Sequence, residues 1–396
     1  MDLNDFSKEY LLLGLRIGKH IDGYVDSYFG PPEYQQLSDT EGKISPKTLF
    51  NKIDLLLKSL NAFSFPADRY QFLKKMLDAQ KTTIELLDGK NIPYLEKVEL
   101  LFDIKPEFTP DNIFQDVAKN LEEFFEGNGS LPQKMNEWRE KKYLPEKSVA
   151  STMEKGFIIA RERTKELFGE QLPSEEKISI NIVKNQPWSA YNWYLGNYKS
   201  KIDVNTDLPV QWDNVLHLAC HEGYPGHHTE HAIKESLIKK EGRFEHSILL
   251  VHTPEAVISE GIGNAAITAL FSSKEAMEIT LDYLKPKDFP LDSMELELKR
   301  HHALDKIASL SGNMAILAHV EGWNDDQIVK YATDFGFTTE NRVRQQLKFI
   351  RDPVWSVYVF NYFFGQNLIW NKYSKNPSQK DFIYLLSNPV LPSDLR

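Results

Sequence analysis

The stretch His221-Glu222-Gly223-Tyr224-Pro225-Gly226-His227-His228 constrains this chain more than any other. It follows an apolar run, Val215, Leu216, Leu218 and Ala219, that reads as helix. A proline inside a helix donates no amide hydrogen bond, and its ring clashes with the carbonyl four residues back, here that of His221. Gly223 and Gly226 leave the backbone on either side free to deviate. The helix entered at Val215 therefore has to bulge or break before His228. Irregular turns of this kind concentrate at functional sites.

The side chains indicate what the irregularity could serve. Three imidazoles and a carboxylate within eight residues have the composition of a metal site. A His-Glu pair on a helix opens the zinc-peptidase pattern, with His as ligand and Glu as general base. That pattern puts the second His four residues on, where this chain has Pro225. Two nitrogens bound to one zinc at ~2.0–2.1 Å lie within roughly 3–3.5 Å of each other. On a regular helix His228 would share a face with His221 but stand about 10.5 Å further along, and His227 would be about 9 Å along and turned by roughly 240°. A two-residue bulge at 223–226 instead brings His227 to the second-ligand position and leaves His228 to an outer acid. Two other readings stay open. One is a solvated helix–loop–helix corner; the other is a metal pair of His227 and His231, which gives Glu222 no role.

The third ligand is expected to be Glu260. Thr253-Pro254-Glu255 is a strong helix start, with a Thr cap, Pro in the first turn and an acid after it. The sequence that follows, through Ile267, is apolar or small nearly all round and reads as a buried helix. A carboxylate there is costly unless it is paired or binds metal, so a salt bridge to Arg or Lys is the competing reading. Gly261 and Gly263 cost helix propensity, which makes sense if another backbone packs against them. Two His and one Glu leave a fourth zinc position open.

At these residues the chain resembles the bacterial domain-of-unknown-function family 885, in its shorter branch. The likeness rests on HEGYPGHH, on Ser259-Glu260-Gly261, on Arg351-Asp352-Pro353-Val354-Trp355 with Tyr358 to Gly365, and on Ile21 to Asp26 with Gly30-Pro31-Pro32-Glu33. It implies a zincin-like metallopeptidase whose third ligand is a glutamate. Tyr358, Tyr362 and Gln366 fall on nearly one helix face. The resemblance points to Tyr362 as the donor to the oxyanion, though a Tyr stripe is also what a core helix carries. Arg351 could hold a substrate carboxylate with two hydrogen bonds or be salt-bridged to a neighbouring acid.

Composition agrees with an ordinary soluble enzyme. The chain is 41% hydrophobic over 396 residues, enough for a sizeable core. With 47 basic and 57 acidic residues its net charge is −10, which argues against a nucleic-acid partner. No apolar run is long enough to span a membrane. An acidic N-terminus (Met1-Asp2-Leu3-Asn4-Asp5) and a lone cysteine, Cys220, read as cytoplasmic, with Cys220 an inert buried thiol.

Helical spacing dominates: 11–28, 46–60, 69–87, 110–125, 146–167, 272–284, 293–320, 325–335 and 342–373. Only 177–183 and an aromatic hairpin at 190–204, turning at Leu195-Gly196-Asn197, read as sheet. The expected fold is thus mainly α, a zincin-like helical metallohydrolase with a small β-sheet beside the metal-binding helix. It forms a single domain over 1–396, with 1–170 as a helical lid or flank. The expected function is zinc-dependent hydrolysis of a peptide or related amide, with one Zn2+ per chain held by His221, His227 and Glu260, and Glu222 and Tyr362 catalytic. A non-peptide amide hydrolase and a non-catalytic metal- or peptide-binding protein are the alternatives.

Overall fold

The helix Pro254–Leu270 starts with Thr253 in extended backbone and Pro254 in the first turn, where the missing N–H has no intrahelical partner to lose. It is apolar on nearly every side, and two cores cover it. Ala256 and Val257 enter a core shared with helices Tyr94–Phe102, Asp111–Phe124 and Leu310–His319. Ile258, Ile262, Ala265, Ala266 and Leu270 enter another, shared with helices Glu146–Phe168, Val215–Glu222 and Gln379–Ser387. A third core packs the N-terminal helices Leu3–Gly18, Pro46–Leu60 and Ala67–Leu87 onto Ile248 and Leu250, immediately upstream of this helix. The 248–270 segment is the spine on which all three cores meet.

The computed structural model describes residues 1–186, 188–287 and 292–396. The protein is mainly helical, 64% helix, with two small sheets. In one sheet β1 (Val25–Tyr28) pairs antiparallel with β5 (Ile248–Leu250). In the other, β4 (Lys199–Asn205) lies between β2 (Lys177–Val183), to which it is parallel, and β3 (Ala190–Gly196), to which it is antiparallel. Gly196, Asn197 and Tyr198 all take positive φ in the β3–β4 turn, the backbone that tight hairpins require. Ala190, Asn192, Tyr194 and Gly196 alternate inward along β3, and Asn192 Nδ2 donates to the Glu222 carbonyl at 2.5 Å. The sheet therefore lies against the end of the 215–222 helix.

Three expected helices are divided. The 11–28 pattern ends as helix at Gly18, and Val25–Tyr28 is strand, because β5 offers it a ladder that no local pattern reveals. The 293–320 pattern becomes helices Met294–Leu304 and Leu310–His319 around a tight turn. The 342–373 pattern splits into Glu340–Ile350 and Asn361–Tyr373. Between them stands Pro353, which an unbroken helix would not accommodate. Helix Asn361–Tyr373 crosses the spine helix at two glycines. A Cβ on Gly261 would sit 2.6 Å from the Gly365 carbonyl carbon, and one on Gly365 2.2 Å from the Val257 oxygen. No helix among the described residues is long and apolar enough to cross a membrane.

Candidate metal centre

The helix that enters at Val215 stops at Glu222, and a second helix, His227–Glu241, starts after four intervening residues that include a cis Tyr224–Pro225 bond. Across the break Gly226 N donates to Cys220 O at 2.9 Å and Thr229 N to Gly223 O at 3.2 Å. Both bonds span six residues where the α-helical ladder spans four. Two residues are looped out, as the sequence arithmetic requires, but the result is two helices rather than one bulged helix.

The loop-out places the His221 and His227 rings 4.7 Å apart at 89°. Glu260, from the spine helix, joins them with Oε2 3.8 Å from His221 Nε2. One donor atom from each of the three residues lies within 4.8 Å of the others, against roughly 3–3.5 Å for donors sharing one zinc. A Cβ on Gly263 would come within 2.8 Å of the His221 ring, so this glycine makes room for an imidazole and Gly261 for a backbone.

Each of the three has an outer partner. His227 Nδ1 lies 3.3 Å from Ser259 Oγ and 3.7 Å from Glu230 Oε2, leaving its Nε2 for the cluster. Ser259 and Lys234 in turn donate to Glu230 at 2.7 and 2.6 Å, and Lys234 also holds Glu255 at 2.7 Å. Asn264 lies beside His221 and favours its charged form. Tyr358 donates to Glu260 Oε1 at 2.9 Å, while Glu260 Oε2, on a residue 9% exposed, is buried and has no hydrogen-bond partner. His228 turns away, with Nε2 3.1 Å from Glu176 and Nδ1 2.8 Å from Ser200 Oγ, and so pins the break to the sheet.

Burial sets the electrostatics. It lowers the His221 pKa well below the usual imidazole range, with His227 and His217 adding to the effect. Burial also opposes charge on His227, but the Glu230, Glu222 and Glu260 carboxylates outweigh it and lift that pKa to about 9. Glu222 is pushed up to about 7, by burial first and then by Glu260 and Asp26, against the pull of His227. Its carboxylate has no ion-pair partner among the described residues. The Cys220 thiol is fully buried and pushed up by burial, as an inert cysteine should be.

The other expected site residues fall differently. Tyr362, 42% exposed, stands at the open side of the cluster with its ring 5.6 Å from Tyr358 and within the field of Glu260 and Glu222. Arg351, the expected holder of a substrate carboxylate, is placed apart from the cluster. Its guanidinium is spent on Asp325 at 3.0 Å and on the carbonyls of Ala318 and Trp323, where it ties helix ends together. Gln366 donates to the Asn264 carbonyl at 3.1 Å. His231 is buried against Tyr194 and Phe29, away from the three donors. Two residues that sequence pattern does not single out belong here: Asp26 on β1 and Tyr191 on β3. Tyr191 donates to Asp26, and both lie in the field of the Glu222 and Glu260 carboxylates. The one signal for Asp26 in the sequence is an acid set between Tyr24-Val25 and Tyr28-Phe29.

A second trio, Asp213, Glu297 and His301, also has donor atoms within 4.8 Å of one another. Lys142 fills it, with Nζ 2.5 Å from both Asp213 and Glu297 and 3.7 Å above the Trp138 ring.

No family model matches the chain, and no curated protein matches it. A candidate lipoprotein from Colwellia psychrerythraea is similar in structure, with TM-score 0.52 and 14% identity over 88% of this chain; the chain spans 65% of that protein's length. A candidate lipoprotein of unknown function from Shewanella oneidensis has TM-score 0.47 and 12% identity over 92% of this chain and 72% of its own. These findings correct two readings of the sequence. The resemblance to domain-of-unknown-function family 885 is withdrawn, because no family model supports it and the similar structures carry no such assignment. The cytoplasmic placement is withdrawn too: a short acidic N-terminus and one cysteine are its whole basis, and the similar structure from Colwellia psychrerythraea is described as a candidate lipoprotein. What the likeness carries over to this chain is its fold.

Proposed function

We propose that this chain is a metal-dependent hydrolase of peptide or related amide bonds, with His221, His227 and Glu260 holding one zinc-class ion and Glu222 as general base. The observation that carries this reading is Glu260 Oε2, a buried carboxylate oxygen without a hydrogen-bond partner, grouped with two imidazoles, of which His227 has its other nitrogen held by Ser259. A buried charged atom is costly unless something compensates it, and a cation there is the compensation this donor set suits. Two nitrogens and one carboxylate leave a position open, as in catalytic rather than structural sites.

When bound, such an ion polarises the scissile carbonyl and makes water a nucleophile near neutral pH. Glu222, beside the cluster and with a pKa near 7, takes a proton from the attacking water and returns it to the leaving amine. Tyr358 orients Glu260 through Oε1, which leaves Tyr362, on the open side, as the donor to the developing oxyanion. In this reading the small sheet is the edge of a zincin-like cleft, with β3 offering its free side to an extended substrate backbone.

Metal-loaded protein digesting a peptide library tests the reading. Glu222→Gln should hold metal and fold normally but lose about 10²–10⁴-fold in turnover. Near wild-type turnover by that variant would overturn the role of Glu222, and stoichiometric metal without any hydrolysis would favour a binding protein.

A further inference from the structure

Four buried acids around the candidate centre are paired with Lys or Arg. Glu230 and Glu255 share Lys234, Glu235 has Lys239, and Glu176 has Arg161. Beside the cluster three acids, Glu222, Glu260 and Asp26, have no Lys or Arg partner among the described residues. Asp26 sits on the four-residue strand β1, which is held in place by β5, the strand that runs on into the Glu260 helix. Its carboxylate accepts the Tyr191 hydroxyl and has no ion-pair partner among the described residues. Tyr191 precedes Asn192, whose side chain donates to the Glu222 carbonyl, so β3 fixes Asp26 on one side and the end of the 215–222 helix on the other. Asp26 is partly accessible, whereas Glu222 and Glu260 are buried.

The unpartnered Glu260 Oε2 points independently to a ligand at this cluster. A divalent ion there would offset two negative charges, leaving one of the three carboxylates Asp26, Glu222 and Glu260 uncompensated. Glu222 has to stay free to move a proton. We infer that Asp26, oriented by Tyr191, binds the ammonium group of the substrate's N-terminus and so makes this centre act on peptides from their free amino end. A charged hydrogen bond from a primary ammonium suits a largely buried carboxylate that already has one donor and still has accepting capacity. Burial pushes the Asp26 carboxyl up, and an arriving cation would favour its ionised form. This inference rests on the hydrolase reading and names its substrate class.

The test uses metal-loaded full-length protein with trialanine and N-acetyl-trialanine as matched probes, for both turnover and calorimetric binding. The free peptide should be favoured in kcat/KM by roughly 10- to 100-fold, the scale of one charged hydrogen bond. In Asp26→Asn that ratio should collapse toward one with metal content unchanged, and Tyr191→Phe should reduce it in part. The wild-type comparison needs no variant to fold. Equal cleavage of the two probes would overturn the Asp26 assignment and leave the hydrolase standing. Amine-dependent binding without cleavage of either probe would overturn the hydrolase and keep the ammonium subsite. Neither cleavage nor amine-dependent binding would overturn both.

Discussion

Among the described residues the protein holds two trios of metal-ligating side chains, each with donor atoms within 4.8 Å of one another, in opposite surroundings. In Asp213, Glu297 and His301 the space between the acids belongs to Lys142, cradled by Trp138, with Arg300 bonded to Glu297 from another side at 2.9 Å. In His221, His227 and Glu260 no Lys or Arg among the described residues enters, the outward atoms have partners, and one inward oxygen has none. Proximity of three donors is therefore weak evidence for a metal. What distinguishes a candidate centre from a structural ion cluster is where the compensating charge comes from.

The contrast can be broken most sharply by elemental analysis. Purified protein should carry about one zinc-class ion per chain. His221→Ala and Glu260→Ala should lose most of it, while His301→Ala and His231→Ala keep it. Retention in the first pair, or loss in the second, would reverse the assignment of the two trios. A second break removes the internal cation. Lys142→Met should lose up to about 3–5 kcal/mol in denaturant unfolding, because two buried carboxylates lose their shared cation and keep only Arg300 and His301. Added zinc should recover part of that loss, since three donors already lie within 4.8 Å of one another; no recovery would mean that proximity without outer partners is insufficient.

Smaller effects sharpen the comparison. Tyr358→Phe removes the hydroxyl that orients Glu260, so metal affinity should fall by about 10-fold or more with stability little changed. Unchanged affinity in a chelator competition would show that Tyr358 only packs. Acid should act on the Lys142 trio through Asp213. Burial opposes its ionisation, but His301 and Lys142 outweigh burial and hold its pKa below the usual range. A depressed folded pKa adds stability above the unfolded value, about 3.9, and that stability is lost as pH falls through the folded value. The melting temperature of the wild type should thus drop more steeply than that of Asp213→Asn below about pH 4. Parallel curves would remove Asp213 from the account.

Local pattern in the chain carries much of this architecture. It marks the broken helix at Pro225, the buried helix after Thr253 and the hairpin beside the 215–222 helix, and the fold contains each. It does not mark the strand at Val25–Tyr28, because the partner lies more than two hundred residues away in the chain and only that pairing makes it strand. Arg351 illustrates the same limit. Its chemistry suits a carboxylate ligand or a helix tie equally well, and the chain path brings it Asp325 and two carbonyls.

The sequence by itself determined that the backbone must leave helical geometry between His221 and His227, since proline sterics and the glycines act within a few residues. It also determined the donor types, two imidazoles and a carboxylate, and that Glu260 would stand in an apolar helix. Tertiary structure alone decided that Tyr358 orients Glu260, that Asp26 and Tyr191 border the cluster, and that Lys142 fills the other trio. The physical reason is range. Backbone conformation is governed by neighbours along the chain, whereas the compensation of a buried charge depends on which distant segments the three cores bring against it.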